Sequence, residues 1–154
     1  MDVRAVEIGP IRLVAYKHIG PYHEIGPHFE RISQWAEANN CPLQGAVGVW
    51  CAETCGNEPH LLESYAGLIV PEGYEPPEGE GKPEVAHIKG GRYALATHLG
   101  PYEGLGDAWK TFINEAIPAA GFELGEGDSF EQYMNDCSEV PPEEVRTDMY
   151  MPIR

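Results

Sequence analysis

The segment His18-Ile19-Gly20-Pro21-Tyr22 returns as His98-Leu99-Gly100-Pro101-Tyr102, at an offset of 80. The register holds on either side of it. Arg12 falls on Arg92, Ile25 on Leu105, Gly26 on Gly106, Phe29 on Trp109, Ile32 on Phe112 and Ala36 on Ala116. Further along the offset becomes 83, with Trp50 on Tyr133 and Leu62-Glu63-Ser64 on Val145-Arg146-Thr147. A chain that repeats at a fixed offset builds one unit twice, so the unit decides the architecture.

Within each copy the elements follow from residue pattern. Residues 3–7 and 11–18 are β-rich and flank Ile8-Gly9-Pro10; residues 85–89 and 92–98 flank Gly90-Gly91. Both patterns predict hairpins. The Gly-Pro-Tyr that follows ends a strand, because Gly permits unusual dihedrals and Pro removes a ladder donor. Ile25, Phe29, Ile32 and Ala36 then step by four, three and four, the stripe of an amphipathic helix. Leu105, Trp109, Phe112, Ile113 and Ala116 repeat it, with Asp107 placed to cap the start. Asn39-Asn40 and Pro118 are the expected stops.

Residues 46–52 and 65–70 read as closing strands of the first copy, and 130–135 and 147–152 of the second. The Gly-, Pro- and Glu-rich tract 71–83 joins the copies. The expected fold is α+β: a duplicated strand–helix–strand–strand unit, paired about a pseudo-two-fold into an antiparallel sheet of about eight strands. Two long helices lie on one face and leave a cleft between them. Residues 1–154 form a single domain in this reading, with repeat one at about 1–70, a linker at about 71–84 and repeat two at about 85–154.

The 154 residues suffice for an unstapled core, and 42 % of them are hydrophobic. With no apolar run near membrane-spanning length and no leader pattern, a cytoplasmic location is expected. The net charge is −15, from 10 basic against 25 acidic residues. Such a surface excludes direct nucleic-acid binding and attachment to anionic membrane, and favours a neutral or cationic ligand or a basic protein. Cys51, Cys55 and His60 make only a partial zinc set, so no metal is expected. No nucleotide or hydrolase motif is present, and no cofactor is expected.

The segments IKGGRYALATHLGPYEGLGDAW, SFEQYMND and PPEEVRTDMYMPI resemble, in order, the GyrI-like small-molecule-binding domain, and the likeness covers nearly the whole chain. That domain also forms the effector-binding half of several transcription activators of the AraC and MerR types. The resemblance implies a standalone relative of the gyrase inhibitory protein. It also implies a glutamate in the strand Phe130-Glu131-Gln132-Tyr133-Met134. Strand alternation puts Glu131 and Tyr133 on one face, and the equivalent position in the first copy is Gly48. Ligand contact is therefore expected at Glu131, with Trp50, Tyr65, Trp109, Tyr133 and Tyr150 as candidates for an aromatic cage around a planar cation.

The resemblance implies three functions to choose between: a receptor for aromatic or cationic drug- or toxin-like compounds, a hydrolase of strained cyclopropane-type alkylating agents, and an acidic inhibitor of DNA gyrase. Hydrolysis would use Glu131 together with a second polar group, for which Glu53, Asn135 and Asp148 are candidates. His18 and His98 are expected to make a hydrogen bond across the repeated turn, and Tyr22 and Tyr102 to staple each helix to the sheet.

Overall fold

The repeated β-rich segments become strands, but the adjacent pairs do not form hairpins. The computed structural model describes residues 1–154. Its strands are β1 (Arg4–Ile8), β2 (Ile11–Ile19), β3 (Gly45–Trp50), β4 (Glu63–Ile69), β5 (Glu84–Ile88), β6 (Gly91–Leu99), β7 (Ser129–Tyr133) and β8 (Arg146–Pro152). All pairings are antiparallel, in the order β1-β6-β8-β7-β3-β4-β2-β5. β1 therefore pairs with β6 of the other repeat, Val6 opposite Tyr93, and β5 pairs with β2, Val85 opposite Val14. The expected hairpins are replaced by an exchange of first strands.

The cause lies in the connections. A tight hairpin turn wants a positive φ at its first central residue, whereas Pro10 biases the preceding Gly9 toward extended backbone. Gly9 accordingly has no positive φ. The two corners instead rest against each other. A Cβ on Gly90 would come within 3.0 Å of the Pro10 nitrogen and 3.1 Å of the Ile8 oxygen. Since β1 and β2 are separated by two residues yet lie toward opposite ends of the strand order, the sheet has to curl.

Inside the curl, Leu13, Val47, Val49, Ile88, Tyr93 and Phe130 form a buried core, covered by Val6 and Ile8 of β1 and Ala86 of β5. The helices pack on the opposite face. α1 (Gly26–Ala38) lays Ile32, Trp35 and Ala36 on Val14, Leu68 and Val70. It ends as expected, with Asn39 Nδ2 donating to the Trp35 carbonyl at 2.9 Å and Asn40 at φ 49°. The second long helix begins as α2 (Leu105–Thr111), widens to a π-helical turn at Phe112–Ala116 and closes as α3 (Ile117–Ala119). Pro118 sits in this last turn, and the helix ends one residue after it, as expected of a residue without an N–H. Asp107 lies in the first turn, where its charge suits the helix dipole, but it makes no capping hydrogen bond. Leu105, Phe112 and Ile117 seat this helix on Ala94, Ala96, Met149 and Ile153.

The tract 71–83 packs against the first repeat. Arg12 Nε donates to the Tyr74 carbonyl at 2.8 Å, Tyr16 Oη donates to the Gly81 carbonyl at 2.5 Å, and Tyr74 joins the cluster under α1. No helix is long and apolar enough to cross a membrane.

Candidate functional site

Across the middle of the sheet, β3 and β7 pair so that Ala46 opposes Tyr133, Gly48 opposes Glu131 and Trp50 opposes Ser129. Because position 48 in one repeat corresponds to 131 in the other, the pseudo-two-fold axis passes through the Gly48–Glu131 pair. Val47, Val49 and Phe130 point into the curl. Alternation then turns Trp50, Ser129, Glu131 and Tyr133 toward the helices. These side chains floor a cleft of about 1260 Å³, walled by Ile25 just before α1, by Phe29 of α1 and by Leu105 and Trp109 of α2.

The ends of the cleft are ring pairs related by the repeat. Tyr22 packs on Trp50 with centroids 4.9 Å apart, and Tyr102 packs on Tyr133 at 5.6 Å. Each tyrosine comes from the single 3-10 turn that precedes its helix, so it does tie helix to sheet, and it also lines the cleft. Phe29 crosses the axis and meets the Tyr133 ring edge-on at 5.3 Å. On the first-repeat side, Gly48 leaves the space that Tyr133 uses. A Cβ there would lie 2.9 Å from the Tyr133 hydroxyl and 3.2 Å from the Trp50 ring.

Glu131 is 4 % exposed, and its Oε2 has no hydrogen-bond partner. Burial pushes its carboxyl up to about 7, and the nearby Trp109 indole N–H only partly opposes the rise. The two groups face each other without a well-formed hydrogen bond, and Trp109 Nε1 is also unpartnered. Burial raises the Tyr133 hydroxyl well above its ordinary value, with Glu131 and Tyr102 adding to the effect. Tyr102 is held at about 12, again chiefly by burial and then by Cys137 beside it. Near neutrality both phenols keep their protons, while Glu131 is the group poised between charged and neutral.

Of the six residues singled out from sequence, Glu131, Tyr133, Trp50 and Trp109 come together in this cleft. Tyr65 and Tyr150 do not. Leu68 packs under α1, so the alternation of β4 sends Tyr65 to the other side, where its ring lies under Lys17 Nζ at 5.7 Å. Tyr150 stacks on Phe130 inside the curl, with centroids 4.4 Å apart and planes 8° from parallel. The expected partners for hydrolysis are also elsewhere. Asp148 accepts from Thr97 Oγ1 at 2.7 Å and pairs with Arg146 at 3.1 Å on that same opposite face. Asn135 is engaged by the Glu144 carbonyl and the Arg146 amide, and Glu53 is exposed on the turn after β3. Neither lines the cleft.

His18 and His98 bridge their turns through Nε2, to the Pro21 carbonyl at 2.9 Å and the Pro101 carbonyl at 3.2 Å. Cys51 and Cys55 line the cleft, whereas His60 sits apart beside Glu58 at 3.6 Å, and no three His, Cys, Asp or Glu side chains gather as a metal set. Sequence reasoning missed Phe29, Cys137 and the lining role of Tyr22 and Tyr102. Their repeat mates and neighbours in the cage were the available signal, since Phe29 corresponds to Trp109.

A curled eight-stranded antiparallel sheet, with one long helix from each repeat and an apolar cleft between them, is the build of an effector-binding domain. The chain belongs to the GyrI-like family, whose small molecule binding domain matches residues 1–154. It is 26 % identical to a DNA gyrase inhibitor from Erwinia billingiae, over 99 % of this chain and 97 % of that protein. Among solved structures it is similar to the C-terminal domain of EcmrR, with TM-score 0.74, 16 % identity and coverage of 99 % of this chain and 97 % of that one. It is also similar to a hydrolase from Listeria innocua (TM-score 0.68, 12 % identity, 99 % and 91 % coverage). A protein solved with tetraphenylphosphonium bound gives TM-score 0.59 at 16 % identity, with 100 % and 94 % coverage. At these identities the structural likenesses speak for the fold alone.

Proposed function

We propose that this protein is a receptor for amphipathic aromatic cations, held in the cleft between the two repeats. The observation that carries the reading is the Glu131 carboxylate, buried and unpartnered on an aromatic floor. A buried carboxylate without a partner is costly, and a delocalised cation repays that cost without bringing a tightly held hydration shell. Trp50, Tyr133, Trp109 and Phe29 supply ring faces and edges for such a ligand. The cleft is roomy enough for a drug-sized molecule, and tetraphenylphosphonium, the ligand of a protein with the same fold, has this chemistry. Hydrolysis is not included, because the second polar groups it was expected to use lie outside the cleft.

The similarity to DNA gyrase inhibitors and the net charge of −15 favour a second reading, in which the acidic surface engages a basic face of gyrase. Gyrase inhibition that falls steeply with added salt would support it, and inhibition by a ligand-filled or cleft-mutated protein would separate it from the receptor role.

The receptor reading is tested by thermal shift with tetraphenylphosphonium and aromatic cationic dyes, run beside Glu131→Gln. A ligand that binds the native state raises the melting temperature by mass action. The expected result is a concentration-dependent rise in the wild type that shrinks in Glu131→Gln. Equal shifts in both proteins, or none in either, would overturn the assignment of Glu131.

A further inference from the structure

We propose that the cleft also captures soft electrophiles covalently, with Cys137 as the acceptor thiol for aromatic compounds bearing an activated alkene. The proposal rests on the cleft being a binding site, but not on the ligand being a cation. Three of the four free thiols, Cys51, Cys55 and Cys137, line this one cleft, drawn from both repeats. The same cavity holds two buried polar atoms without partners, Glu131 Oε2 and Trp109 Nε1, which point independently to an occupant. Thiols and orphaned polar groups therefore face the same space.

Among the three thiols, position favours Cys137. It is exposed and adjoins Tyr102, whose ring packs on Tyr133, two residues along the strand from Glu131. A ring seated on the Tyr133 side of the floor is thus next to this sulfur. The loop holding it is pinned. Asp136 Oδ1 accepts from the Ser138 amide at 2.8 Å and its hydroxyl at 2.6 Å, and Asn135 is tied to Glu144 and Arg146. Cys51 is a poor competitor. Burial and neighbouring carboxylates push its thiol up to about 11, so little thiolate forms near neutrality. Cys55 lies on the first-repeat side, near Tyr22.

The step is a conjugate addition. Cys137 Sγ, as thiolate, bonds to the β-carbon, and the alkene π pair shifts onto the carbonyl as an enolate. The proton lost from the thiol returns to the α-carbon through water or the Tyr102 hydroxyl. One S–C bond and one C–H bond replace the S–H bond and the C=C π bond, and nothing is oxidised or reduced. The advantage comes from holding alkene and sulfur together, not from an activated thiolate.

The test follows adduct mass and peptide map with N-(1-pyrenyl)maleimide and N-ethylmaleimide, using glutathione as the reference thiol. We expect the first pyrenyl adduct on Cys137, with a rate that saturates in reagent and a pyrenyl-to-ethyl preference at least tenfold above that of glutathione. Cys137→Ser abolishes this adduct while keeping the wild-type melting temperature, and calorimetry on the wild type follows tetraphenylphosphonium binding separately. A first adduct on another cysteine, or a rate linear in reagent with the preference of glutathione, overturns the proposal. If the phosphonium binds and Cys137 shows no saturation, capture fails and the cation site stands. If Cys137 saturates and the phosphonium does not bind, capture stands and the cation reading fails.

Discussion

Gly48 and Glu131 stand opposite each other across β3 and β7, on the axis that relates the two repeats. Opposed side chains on antiparallel strands lie about 5 Å apart, so equal residues here would bring two buried carboxylates together. The asymmetry removes that repulsion and gives the Tyr133 hydroxyl its place over the glycine. A single charge at the centre of a duplicated fold follows from this pairing.

Gly48→Ala should therefore be more damaging than an alanine in an ordinary strand. Its Cβ would sit 2.9 Å from the Tyr133 hydroxyl. The expected loss is about 1–3 kcal/mol of stability, the usual cost of overpacking. Adding Tyr133→Phe removes the contacting oxygen and should recover part of the loss in denaturant melts. Additive effects of the two changes would show that the clash is absent.

Glu131 also sets a pH dependence of stability. Its folded carboxyl titrates at about 7, above the ordinary value of 4.5, so between those pH values the native state holds more protons than the unfolded chain. Stability attributable to this group therefore falls as pH rises through that window and levels off above 7. At pH 8 Glu131→Gln should be the more stable protein, by on the order of 3 kcal/mol, and near pH 4 the difference should vanish. Urea melts at the two pH values check this.

The strand exchange makes each repeat depend on the other. β1 covers the inner core with Val6 and Ile8 and hydrogen-bonds β6, so deleting residues 1–8 exposes both a β6 edge and apolar surface. Such a truncation should lose cooperative unfolding or melt far below the intact chain. Residues 85–154 alone should stay unfolded, and should gain circular-dichroism signal when residues 1–83 are added.

The rings divide into two sets by sheet face. Tyr22→Ala and Tyr102→Ala should each weaken tetraphenylphosphonium binding about three- to tenfold, in line with about 0.5–1.5 kcal/mol per ring contact. Tyr65→Phe and Tyr150→Phe should leave it unchanged, because those rings lie on the other face.

The duplication, the two helices and the closing strands were legible because hydrophobic period and internal offset are local signals. Partner choice is not local. Ile8-Gly9-Pro10 looks like a hairpin in isolation, and only the crossing of its corner with Gly90 shows why β1 leaves for β6. The site divided in the same way. Glu131, Tyr133, Trp50 and Trp109 followed from resemblance, repeat and stripe. Tyr65 and Tyr150 lie outside the cleft because Leu68 and Met149, facing the helices, set the phase of their strands. Pro118 stops the second helix within one residue, and the π-helical turn before it is the feature that the apolar stripe does not announce.

The central claim is that the buried Glu131 charge holds the ligand, and calorimetric titration of tetraphenylphosphonium across pH 5 to 8 tests it most directly. Cation binding to a carboxyl that titrates at about 7 requires that its proton leave. Wild-type affinity should rise roughly tenfold per pH unit up to 7 and then level, while Glu131→Gln binds more weakly and without that slope. A wild-type affinity that is independent of pH, or an equal slope in Glu131→Gln, would contradict the account.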